Sequence, residues 1–176
     1  MAFAIPPFDA APEIFVRMAP GMPPECWGVT ACVLAILAFA AIFDSLTALI
    51  PEALIFFGLL AVTAAQGVFA SWEIAAHHLQ QAVAAGILIW LINYAWFKKF
   101  HADALGMGDA KWTMLAVACF GIEPAIMAWG VGSVLATIFI GLFRLFKHSV
   151  SAVTFSPFLF IGLGVALYRG SVLSSF

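Results

Sequence analysis

Charge is the scarcest thing in this sequence. Of 176 residues only 9% are charged, seven Lys or Arg and nine Asp or Glu, where a soluble domain carries ~25%. That leaves too little polar surface to cover a globule in water, which excludes an ordinary soluble domain. Seven scattered basic residues form no basic face, so nucleic-acid binding is excluded as well. Paired cysteines are missing too: Cys26, Cys32 and Cys119 make no C-x-x-C, hence no zinc knuckle or disulfide framework. Gly-x-Ser-x-Gly is absent, which removes support for a serine nucleophile of that type. His-Glu-x-x-His is absent, which disfavours a zinc protease. No internal repeat or low-complexity tract stands out. What remains is apolar: 65% hydrophobic residues and a mean hydropathy of +1.10, the composition of an integral membrane protein.

A spanning helix needs ~20 mostly apolar residues. Runs of that kind cover Trp27 to Phe43, Ala53 to Ala70, Gln81 to Phe97, the long stretch Trp112 to Phe143, and Val153 to Tyr168. Asp44, Ser71-Trp72-Glu73, Lys98-Lys99 and Arg144 with Lys147 punctuate them. Lys98, Lys99 and Lys111 flank one loop, and Arg144 and Lys147 another. If both loops are cytoplasmic, 112–143 crosses twice, with its external turn at Glu123-Pro124. Each crossing then has ~16 residues, or ~24 Å of helix, short of the ~30 Å hydrocarbon core. The expected fold is all-α, a polytopic membrane bundle of about six transmembrane helices, with both termini outside. Residues 1–26 read as an external tail, with an interfacial helix around Pro12–Met18. The membrane domain is expected over 27–170 and a short external tail over 171–176. Trp27, Trp72 and Trp112 sit at interface positions. Gly130 with Ser133, and Gly162 with Gly164 and Ala166, have the spacing of helix contacts.

Few ionisable groups remain near the membrane, and those mark function. Asp44 closes the first span and Asp109 opens the fourth, in Gly106-Met107-Gly108-Asp109-Ala110-Lys111. Glycines two apart let the backbone turn tightly and approach another chain closely. Taken singly, Asp109 reads as a helix cap and Asp44 as a solvated loop residue. Taken together, they lie at one membrane face. Two carboxyls within a few ångströms share a proton. One acts as base on a water and the other as acid toward a carbonyl, which is aspartic protease chemistry.

At these residues the chain resembles the type IV prepilin peptidases, of the G-x-G-D membrane aspartic protease class. Three stretches carry the resemblance. Asp44 is followed by Ile50-Pro51 at the family's spacing. Gly106 to Lys111 matches G-x-G-D-x-K. Thr154-Phe155-Ser156-Pro157 matches the aromatic and proline that open the family's last span. The chain departs from the family in three places. Ser45-Leu46-Thr47-Ala48 stands where basic residues are usual, Glu52 where Asn is usual, and Thr154 where Pro is common. It has no domain with paired C-x-x-C and so resembles the short, peptidase-only form, without support for methyltransferase activity.

The resemblance implies a bacterial inner-membrane endopeptidase with its active site at the cytoplasmic face. Asp44 and Asp109 would be catalytic. Gly106, Gly108, Lys111, Pro51 and Pro157 would support the substrate or the loops. No metal and no cofactor is expected. The partners are a prepilin or pilin-like substrate with a short leader, and the lipid bilayer. The alternatives are a small proton-coupled transporter and an inactive assembly partner of a secretion or pilus system. Lys111 could hold a carboxylate ionised or simply set topology. His77-His78 read as an external loop, and His101 and Asp103 as a wet loop.

Overall fold

The computed structural model describes residues 27–47, 49–101, 106–146 and 154–173, without the side chains of 27, 29 and 170–173. The expected N-terminal tail and its interfacial helix lie outside the described residues, as do Asp103 and Lys147. Six helices follow in order: α1 (Trp27–Thr47), α2 (Glu52–Phe69), α3 (Trp72–Phe100), α4 (Met107–Phe120), α5 (Ile122–Leu145) and α6 (Ser156–Leu173). The described residues contain no strand. α1, α2, α3 and α5 are each long and apolar enough to cross a membrane. Large apolar side chains such as Phe56, Phe57, Leu88, Trp90, Ile138 and Leu142 are exposed on their outer faces. The protein is a polytopic helical membrane protein.

Short connections make consecutive helices antiparallel. One end of the bundle holds the acid pair Asp44 and Asp109 and is called the dyad end; it gathers the C-termini of α1, α3 and α5 with the N-termini of α2, α4 and α6. The far end gathers the others. α3 is matched to its own dipole, with Glu73 in its first turn and Lys98 and Lys99 in its last. Ser71 caps it, its hydroxyl accepting from the Ile74 N–H at 3.1 Å. His77 and His78 are therefore helical rather than in a loop, contrary to the sequence reading. The cap begins the helix well before the apolar run does.

α4 is the centre. It packs against α1, α2, α3, α5 and α6, and past its first turn none of its residues is exposed. A helix buried on every side has no polar stripe, and Trp112, Leu115, Ala116 and Val117 are all fully buried. Trp112 is thus a core residue and not the interfacial anchor expected from its position. Its indole N–H donates to the Leu37 carbonyl of α1 at 3.2 Å.

The apolar stretch 112–143 does make two helices, but unequal ones. α4 has 14 residues and α5 has 24, or about 21 and 36 Å at ~1.5 Å per residue. The turn is at Gly121, with φ 83° and ψ 178°. That backbone favours glycine and strains other residues. Glu123 and Pro124 lie in the first turn of α5, where proline is tolerated because its missing N–H has no helical partner.

The last carbonyls of a helix lack intrahelical donors, and α4 ends inside the protein. Gln66 of α2 supplies them, its amide donating to the Ala118 and Cys119 carbonyls at 3.0 and 3.3 Å. The same nitrogen lies 3.2 Å from His78 Nδ1. α5 and α6 meet through Gly162, one of the expected contact residues, and through Gly132, which was not among them. A Cβ on Gly132 would meet the Phe158 carbonyl at 3.0 Å, and one on Gly162 would collide with the Ala128 backbone. Gly130 and Gly164 face open space. Buried Ala166 shares the inner face of α6 with Gly162. α6 runs to Leu173, into the segment expected as a tail.

Candidate active site

Asp44 lies in the last turn of α1, directly after the apolar run. The helix continues through it to Thr47, so it is not a loop residue. It is 6% exposed. A carboxylate near a helix C-terminus gains nothing from the helix dipole. Tertiary packing, not capping, accounts for its place.

Asp109 is the third residue of α4, and its N–H donates to the Gly106 carbonyl at 3.1 Å. Here the dipole favours an acid. Its carbonyl accepts from the Thr113 hydroxyl at 2.7 Å, and that hydroxyl accepts from the Trp129 indole at 2.9 Å. Asp109 is 5% exposed, so it is more than a solvated cap.

The two glycines serve the carboxyls directly. Neither has positive φ: Gly106 is at −66°, and Gly108 is already within α4. The expectation of a tight glycine turn does not hold; the expectation of close approach does. A Cβ on Gly108 would stand 3.0 Å from Asp44 Oδ1 and 3.3 Å from Ile50 Cδ1. One on Gly106 would stand 3.2 Å from Asp109 Oδ2. The bare Cα of Gly108 lets α4 press against Asp44 of α1, and that of Gly106 leaves room for the Asp109 carboxyl.

A third residue joins them. The Ser156 hydroxyl, at the first position of α6, lies 2.7 Å from Asp44 Oδ2 and 2.9 Å from Asp109 Oδ1. It is fully buried. Residues 65 and 112 apart in sequence are thus joined through one oxygen. Sequence reasoning placed Ser156 only within a matched stretch and gave it no role. The available signal was a hydroxyl at the start of the last span, on the same face as the two acids.

A cavity of about 400 Å³ opens beside the carboxyls. Leu49, Ile50, Met107 and Phe155 give it apolar walls, and Thr154 and Lys111 add polar edges. Lys111 does not pair with the aspartates. Its ammonium lies 3.2 Å from Glu52 Oε1 and 3.5 Å from the Ile50 carbonyl, so it ties α4 to the start of α2. Pro51 precedes α2 at the exposed rim, and Pro157 is the second residue of α6. Neither lines the cavity. His101 ends α3 in the left-handed region, with φ 55°. Among the described residues, no three of His, Cys, Asp and Glu are grouped as a metal ion requires.

No protein-family model matches the chain, and no curated protein or solved structure does either.

Proposed function

We propose that the chain is a membrane-embedded aspartic endopeptidase that removes the cytoplasmic leader of a prepilin or pilin-like protein. The observation that carries this reading is the meeting of Asp44 and Asp109, buried, on one side of a cavity. Burying two acids together is costly, and costly clusters of titratable groups concentrate at functional sites. The resemblance of the three motif stretches to type IV prepilin peptidases supplies the substrate class. The excess of Lys98, Lys99, Lys111 and Arg144 at the dyad end supports a cytoplasmic site in a bacterial inner membrane.

In the chemistry proposed, the ionised carboxyl takes a proton from water as the water oxygen attacks the scissile carbonyl carbon. The protonated carboxyl gives its proton to the carbonyl oxygen, forming a gem-diol. The C–N bond then breaks. The carboxyl that gained the water proton passes it to the departing nitrogen, and the other takes one diol proton. The pair returns to its starting state. The cavity beside the dyad has room for an extended segment, and its apolar walls suit the residues around a boundary between leader and membrane helix.

The test is cleavage of a co-expressed prepilin in membranes by wild type, Asp44→Asn and Asp109→Asn. Both single variants are expected to lose cleavage by at least ~10²-fold while remaining folded. Cleavage at the wild-type rate by either variant overturns the dyad and returns attention to a carrier or scaffold.

A further inference from the structure

The contacts around Ser156 pose a problem of hydrogen counting. A serine hydroxyl has one hydrogen and two acceptor sites, and an ionised carboxylate only accepts. Ser156 Oγ is within hydrogen-bond distance of a carboxyl oxygen on each side, at 2.7 and 2.9 Å. It can donate to one of them. The other contact is a hydrogen bond only if that carboxyl carries a proton and donates it to Oγ. With both acids ionised, two buried oxygens would face each other with no hydrogen between them, a costly arrangement. With both protonated, the hydroxyl could accept from both, but its own hydrogen would have no carboxylate to meet.

We infer that Ser156 is a positioning residue: its hydroxyl bridges Asp44 and Asp109 and selects the state in which the pair holds one proton. The bridge has two equivalent settings, with the hydroxyl hydrogen turned toward whichever carboxyl is ionised. In the hydrolysis proposed above, the proton changes sides at each of the two steps. A hydroxyl that can turn supports both states equally, whereas a fixed N–H donor would favour one. The hydroxyl is also free for the task. Phe155, not Ser156, receives the first amides of α6, its carbonyl accepting from Phe158 and Leu159 at 3.0 and 3.2 Å. Pro157 fixes the backbone beside Ser156 in the first turn of α6, which holds its oxygen in place.

The catalytic part of this inference rests on the peptidase reading; the proton count does not. Two measurements therefore separate them, both on the full chain in liposomes. The first is the infrared carbonyl stretch of the protonated acid, assigned by its loss in Asp44→Asn or Asp109→Asn. The second is the pH profile of prepilin cleavage. Ser156→Ala should displace the infrared band and move both limbs of the kcat profile. It should lower kcat about 10- to 100-fold, with KM changed less than ~2-fold. Ser156→Thr keeps a hydroxyl on the same carbon and should restore band and profile toward wild type. If Ser156→Ala leaves the band, profile and kcat unchanged, or Ser156→Thr behaves as Ser156→Ala does, the bridge is overturned while the dyad stands. If wild type cleaves no prepilin but the band moves in Ser156→Ala, the bridge stands and the peptidase reading falls.

Discussion

Gly108 has no side chain because two other side chains occupy the place where one would go. Gly108→Ala must push Asp44 or Ile50 aside by a few tenths of an ångström. Misplacement on that scale at a reacting group is expected to cost at least ~10-fold in cleavage rate, with the helix retained, as circular dichroism would check. Gly130 is the matched control: its Cβ position is open. Gly130→Ala should leave cleavage unchanged and raise stability by up to ~1 kcal/mol. The Lys111–Glu52 pair is a rim feature, with Glu52 87% exposed. Glu52→Gln should cost no more than ~1 kcal/mol, less at high salt. Because the proposed reaction needs one proton on the pair, its rate should rise and then fall with pH. A profile with a single limb would argue against a working dyad.

At the scale of elements, the apolar runs gave the helices because the membrane demands long apolar stretches, and composition records that demand. The dyad was legible for a related reason: in a chain with so few charges, an acid at the end of a span needs an account. The helix starts were less legible. Ser71 caps α3 well ahead of its apolar run, so His77 and His78 looked like loop residues. The central place of α4 was also hidden. A run of apolar residues looks the same whether it meets lipid or protein, so Trp112 passed for an interfacial anchor. Ser156 was missed because a single hydroxyl has no spacing rule; only the meeting of three helices gives it meaning. Gln66 is the corresponding case at the far end. Gln66→Leu removes the donor to the last carbonyls of α4 and should cost ~1–3 kcal/mol, read as a lower unfolding midpoint in detergent. Amide exchange should rise around residues 118–121. The far end should lose protection before the dyad end does.

For the whole molecule, the alternation of helix direction puts Glu52, Lys98 and Arg144 at the dyad end and Glu73, Glu123 and Arg169 at the other. Single cysteines introduced at Glu52 and Glu73 are therefore expected to react with an impermeant thiol reagent from opposite sides of the membrane. Reaction from the same side would contradict the antiparallel bundle. The same alternation brings the first residue of α6 back to the last turn of α1, so the site closes only once α6 has packed against α1. The dyad depends on contacts between distant parts of the sequence, not on a local motif.

The shortest helix is also the best insulated. α4 carries Asp109 and meets only protein beyond its first turn, while longer helices around it face the lipid. A change in bilayer thickness acts first on those outer helices, through tilt or local deformation of the lipid. It reaches Asp109 only through the packing of those helices on α4, whereas Asp44 rides on α1, one of the outer helices. Asp109 is in that sense mechanically shielded from the bilayer, and Asp44 is not. The proposed cleavage should therefore vary with lipid chain length through the position of Asp44 relative to a steadier Asp109, as rates in vesicles of graded thickness would check.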